Sequence, residues 1–152
     1  MSEPEKYVAA GVGSPAQTVG LHGLVPFDIV QPPAVMLRPG RGIVRLHLEL
    51  PVGIQAQPGA PLACRVRGWS AGLVWPDDGR IRHLAEPRFP VELPYVSRTN
   101  PEPPEVGELV VDISFRYLRE GVVGIQDVQW RQRITWGASG ASGVDLHYTL
   151  PG

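Results

Sequence analysis

The chain has 152 residues, the usual length of one domain, with 18 glycines, 17 prolines and a formal net charge of −1. So many chain-breakers exclude a helical bundle or a coiled coil and point to short strands joined by turns. The near-neutral charge gives no electrostatic ground for a nucleic acid or an anionic membrane as partner. Apolar residues at 43% and charged residues at 19% exclude wholesale disorder. A chain of this size buries roughly 70% of the surface its unfolded form exposes, so its core needs neither metal nor disulfide.

Cys64 is the single cysteine, so no intrachain disulfide forms. The opening Met1-Ser2-Glu3-Pro4-Glu5-Lys6 is polar and acidic where a signal peptide would be basic and then apolar. No run of 18 apolar residues occurs. The expected location is therefore the cytoplasm, with no membrane partner.

Residues 1–33 lack a period and are punctuated by Gly11, Gly13, Pro15, Gly20, Gly23, Pro26, Pro32 and Pro33. An extended N-terminal arm is expected there, with at most a short strand over Leu24–Val30. Residues 34–152 form the expected body. Val44 to Leu50 alternates apolar and polar at every position, the pattern of a half-buried strand with Val44, Leu46, Leu48 and Leu50 inward. Leu109 to Tyr117 places Leu109, Val111, Ile113, Phe115 and Tyr117 on one face. Val128 to Trp136 does the same with Val128, Trp130, Ile134 and Trp136, Gln132 being the exception, and Val144 to Leu150 is a fourth regular strand.

Weaker strands fall at Ala34–Leu37, Leu62–Arg67, Leu73–Trp75, Arg80–Leu84 and Phe89–Leu93. Asp77-Asp78-Gly79 and Arg119-Glu120-Gly121 read as tight turns in which glycine supplies positive φ. Pro90 and Pro94 confine their segment to a sheet edge or break it. Asn100 to Glu105 is a proline-stiffened loop, and Gly137 to Gly143 a flexible link, most simply the loop of a long hairpin. The expected fold is all-β: a two-sheet antiparallel sandwich of immunoglobulin-like character with about eight strands.

The four histidines, His22, His47, His83 and His147, form no local metal motif. His47 and His147 occupy outward strand positions and approach each other if their strands pair, giving either a two-histidine metal or proton site or a solvated face. No Gly-x-Ser-x-Gly elbow is present, and Ser139 and Ser142 sit in the glycine-rich link. Cys64 alternates with Arg65 and is expected inward beside Leu62 and Val66, a buried thiol rather than a reactive one. Gly11 to Ala16 superficially matches a dinucleotide loop without the flanking strand and helix such a loop requires. Asp77 and Asp78 are explained by their turn. Trp130 and Trp136 are core candidates, whereas Trp69 and Trp75, flanking Gly72, are expected to be exposed and suit stacking on sugar rings.

Two stretches carry a family resemblance: residues 44–62, VRLHLELPVGIQAQPGAPL, and residues 109–134, LVVDISFRYLREGVVGIQDVQWRQRI. Together they resemble the C-terminal β domain that follows the thioredoxin and propeller domains in thioredoxin-like/NHL-repeat proteins. More distantly, they are similar to the immunoglobulin-like N-terminal domain of thiol:disulfide interchange protein DsbD. The resemblance implies a β-sandwich that serves a redox partner on another chain. Those families often carry a cysteine pair about the hairpin, and the corresponding positions here are Leu118 and, approximately, Val123, so the redox pair is absent.

A complete folding pattern without a convergent polar constellation leads to the expectation of a non-enzymatic module for protein–protein interaction or assembly, without cofactor or metal. Its partner is another protein chain or a second copy. The surface expected to carry the interaction comprises Arg45, His47 and Glu49 on one strand and Gln129, Arg131 and Arg133 on another, with Trp69 and Trp75 as exposed aromatics. The alternatives are a carbohydrate-binding sandwich, an accessory domain to a thioredoxin-type partner, and a small histidine-dependent hydrolase.

Overall fold

A computed structural model describes residues 28–68, 71–75, 79–97 and 106–151. The chain is all-β, with eleven strands among the described residues: β1 (Asp28–Val30), β2 (Val35–Leu37), β3 (Arg41–Glu49), β4 (Ile54–Ala56), β5 (Leu62–Arg67), β6 (Leu73–Val74), β7 (Ile81–Leu84), β8 (Val91–Ser97), β9 (Gly107–Arg119), β10 (Val122–Trp136) and β11 (Gly143–Thr149). A seven-stranded sheet runs β1-β10-β9-β5-β7, with β2 also on β10 and β4 also on β9; a four-stranded sheet runs β11-β3-β8-β6.

The four regular stretches are strands whose apolar sides meet between the sheets. Val44 and Leu46 of β3, Leu109, Val111 and Ile113 of β9, Val128, Trp130 and Ile134 of β10, and Leu146 of β11 are all fully buried. Each such side chain contributes roughly 1.5–3 kcal/mol by leaving water, so period-two patterning fixes which face of every strand turns inward. The indole N–H of Trp130 donates to the His147 carbonyl at 2.9 Å and joins the sheets polar group to polar group. Trp136 likewise donates to the Ala71 carbonyl at 2.9 Å.

Several expectations are corrected. The sheets are mixed, because β1 and β2 run parallel to β10 and β11 runs parallel to β3. Residues 28–30, the end of the short strand expected over Leu24–Val30, pair into the large sheet as β1. Between β1 and β2, Pro32 and Pro33 interrupt the pairing along β10. Gln132, the polar exception in an apolar row, is buried there and donates its side-chain amide to the Pro33 carbonyl at 2.7 Å. It satisfies the acceptor that the proline break strands.

The link from Gly137 to Gly143 is not a hairpin loop, since β10 and β11 lie in different sheets. Nor is it slack. Gly137 N–H donates to the Leu37 carbonyl, Ala141 N–H to the Met36 carbonyl, and Arg38 N–H to the Ala141 carbonyl. A Cβ on Gly140 would come within 2.5 Å of the Leu37 carbonyl carbon, so the glycine permits close approach rather than flexibility.

β8 has β3 on one side and β6 on the other, but β6 reaches only Val96 and Ser97, so the stretch between Pro90 and Pro94 keeps the open edge expected from its two prolines. Pro94 is tolerated because Ser97 donates to Gly40 on the β3 side, so the alternate residue Pro94 turns its nitrogen away, toward a flank where β6 reaches only Val96 and Ser97. The β9–β10 hairpin closes as expected, with Glu120 and Gly121 at φ 52° and 77° between the paired residues Arg119 and Val122.

Candidate interaction surface

The outward side of the small sheet is a ladder of five rows set by strand register. Arg41 pairs with Val96, which pairs with Val74; Gly143 pairs with Ile43, which pairs with Pro94; Asp145 pairs with Arg45, which pairs with Glu92. His147 lies beside His47, and Thr149 beside Glu49. Three of the residues expected to carry an interaction, Arg45, His47 and Glu49, stand together here on one rigid strand.

The charged rows are paired internally. Arg45 Nε lies 3.2 Å from Glu92 Oε2, and Thr149 donates its hydroxyl to Glu49 Oε1 at 3.0 Å. His47 donates from Nε2 to Asp145 Oδ1 at 2.9 Å, the carboxylate being able only to accept. The imidazoles of His47 and His147 stack with centroids 4.3 Å apart and planes 13° from parallel. The histidines meet as expected, yet parallel stacked rings do not converge their nitrogens on one point. Among the described residues no group of three or more histidine, cysteine or acidic side chains is arranged to hold a metal ion.

The other end of the face is apolar. Ile43, Val74, Pro94 and Val96 line a hollow of about 580 Å³ with Arg41 and Arg45 beside it. Val96 is 50% exposed and Val74 41% exposed, although both sit on strands. Sequence reasoning missed this hollow: its apolar groups come from three strands that are far apart in the chain and become neighbours only through the sheet order.

Gln129, Arg131 and Arg133 lie on the outward side of the large sheet, so the expected surface is split between opposite faces of the sandwich. Gln129 is not exposed at all, which corrects its assignment to a surface row. It donates from Nε2 to Asp112 Oδ1 at 2.8 Å and accepts from Arg131 Nε at 2.6 Å. Asp112, also fully buried, accepts from Arg65 Nε and Arg67 Nη2 on Oδ2, each at 2.9 Å. Register sets Arg65, Asp112 and Gln129 side by side across β5, β9 and β10. This network braces the sheet. Alternation marks these residues as outward, and the arginine stems that cover them are visible only after folding.

Trp75 is only 6% exposed and packs edge-on against Tyr95, which corrects its expected exposure and removes it as a sugar platform. Trp69, His22, Asp77, Asp78, Gly11 to Ala16 and Asn100 to Glu105 lie outside the described residues. Cys64 is fully buried, as expected, along with Leu62 and Val66. His83 is exposed on the short strand β7. Leu118 and Val123, the positions matching the family's cysteine pair, are direct cross-strand partners in the β9–β10 hairpin.

Fold and surface define a β-sandwich with one self-paired charged face and an apolar hollow at its end. No protein-family model and no curated protein matches this chain. Among the described residues no helix is long and apolar enough to cross a membrane.

Proposed function

We propose that this chain is a non-enzymatic β-sandwich module that docks onto another protein chain or a second copy through the outward face of its small sheet. The observation that carries the proposal is the apolar hollow of about 580 Å³ in which Val74 and Val96 stay half-exposed on otherwise well-packed strands. Covering each valine contributes about 1 kcal/mol. The strands hold the site in shape beforehand, so little conformational entropy is lost on association. The neighbouring polar rows are hydrogen-bonded within the face and supply a polar rim that fixes orientation more than affinity.

The test uses three tagged forms of the full chain, wild type, Val96→Asp and Arg133→Ala, as capture baits in lysate of the native source, together with sedimentation of each purified form. One stoichiometric partner, or a dimer, should form with wild type and Arg133→Ala and weaken at least tenfold with Val96→Asp. A chain that stays monomeric at high concentration and captures nothing in a Val96-dependent way would overturn the proposal.

The accessory-domain alternative draws on the pairing of Leu118 with Val123, which sets the two family cysteine positions opposite each other. With leucine and valine there, the role left to this chain is binding without thiol exchange, which agrees with a docking module.

A further inference from the structure

We infer that the hollow takes an extended stretch of a partner protein bearing apolar side chains at alternate positions and a carboxylate within two residues of them. This rests on the docking function proposed above and specifies the chemistry of its partner. The hollow is lined chiefly by the apolar Ile43, Pro94, Val74 and Val96, with Gly42, Tyr95 and Ser142 also on its wall. At about 580 Å³ it exceeds a single aliphatic side chain, and side chains at i and i+2 of an extended segment fall on one face, so two enter together.

The charged side chains that line the hollow are of one sign. Arg41 and Arg45 are its charged lining residues, and no acidic residue lines it. Arg45 is matched by Glu92, whereas Arg41 is exposed and makes no ion pair among the described residues. An uncompensated guanidinium beside an apolar surface matches a carboxylate with two parallel hydrogen bonds, which a compact ammonium cannot offer. A basic segment would meet repulsion from Arg41 and is selected against.

The test is a displayed library of random heptapeptides panned on the full wild-type chain and counter-panned on Val96→Asp. The enriched peptides should carry two alternating apolar residues with Asp or Glu within two positions. A synthetic peptide of that consensus should bind wild type and Arg133→Ala equally. It should bind Val96→Asp, Val74→Asp and Arg41→Glu at least tenfold more weakly, and its binding to wild type should weaken in high salt. Far-UV circular dichroism and melting curves identify any variant that has lost its fold, and the two valine variants on separate strands check one another. A Val96-dependent consensus that is basic or uncharged, or binding indifferent to Arg41→Glu, overturns the inference while leaving the docking face intact. The absence of any Val96-dependent peptide also overturns it, and the lysate capture then decides separately whether the face docks at all.

Discussion

Tyr148 donates its phenolic hydrogen to Asp28 Oδ2 at 2.6 Å, a bond from the last strand of the small sheet to the first strand of the large one. The two residues are 120 positions apart. Asp28 is exposed, so the bond contributes less than a buried charge-assisted one. Tyr148→Phe should cost about 1 kcal/mol, read as a lowered urea midpoint with unchanged slope.

The same contact sets an alkaline response. Burial first, then the hydrogen bond and charge of Asp28, push the Tyr148 phenol well above its ordinary value. Burial also raises Tyr95, partly opposed by Arg38. In the unfolded chain both phenols ionise near pH 10. Their contribution to stability is therefore complete below about pH 10 and declines as pH rises from there toward the folded values. Absorbance at 295 nm should show these two phenolates appearing only with alkaline unfolding, and Tyr148→Phe should flatten the fall in stability. Uniform titration of every tyrosine near pH 10 in a still-folded protein would contradict this.

Asp112 is the keystone of the large sheet's outward face. Removing its carboxylate leaves the Arg65 and Arg67 guanidiniums facing each other and deprives the Gln129 amide of its acceptor. The arginine side chains are 23% and 33% exposed, so water recovers part of the loss. Asp112→Ala should destabilise by about 2–3 kcal/mol, and Arg133→Ala, a surface change on the same face, by less than about 0.5 kcal/mol. Equal urea midpoints for the two variants would show that the network does not brace the sheet.

The contrast between Val44 and Gln129 shows how far the sequence is legible. Val44 is buried because its strand has one apolar side, a property local to seven residues, and alternation reveals it directly. Gln129 is buried by its place between Asp112 and Arg131, and the arginines that complete the network come from a strand more than 40 residues earlier in the chain. The parallel pairing of β11 with β3 escapes the sequence for a related reason: alternation states which face turns inward, not which strand lies alongside. The hollow inherits that difficulty, since Ile43, Pro94, Val74 and Val96 share a surface only through the order β3-β8-β6.

Gly42 and Tyr95 form a second close contact with opposite expected outcomes. The two are register partners, and a Cβ on Gly42 would strike the Tyr95 ring and lie 2.6 Å from the Ser142 carbonyl. The backbone on one side cannot give way, so Gly42→Ala should cost about 2–3 kcal/mol. The Tyr95 hydroxyl is buried and has no hydrogen-bond partner among the described residues. Tyr95→Phe removes that desolvated group and should be neutral or stabilise by up to about 1 kcal/mol. Melting curves of the two variants should therefore move in opposite directions, or Tyr95→Phe should stay level with wild type; a large loss on Tyr95→Phe would mean that the hydroxyl is satisfied after all.

Cys64 reports on the same sheet from its inner side. It is fully buried, and its strand β5 also carries Arg65 and Arg67, whose bonds to Asp112 hold β5 against β9. A thiol without solvent access reacts only when the structure opens, so its labelling rate by a disulfide reagent measures the free energy of opening. Native wild-type protein should label slowly and denatured protein at once. Asp112→Ala, weaker by about 2–3 kcal/mol, should label about 30- to 150-fold faster in native buffer if the opening that exposes Cys64 is the one the carboxylate resists, since each 1.4 kcal/mol is a factor of ten. Rapid labelling of the native wild type would place the thiol at the surface, and an unchanged rate in Asp112→Ala would separate the opening of β5 from its bonds to β9.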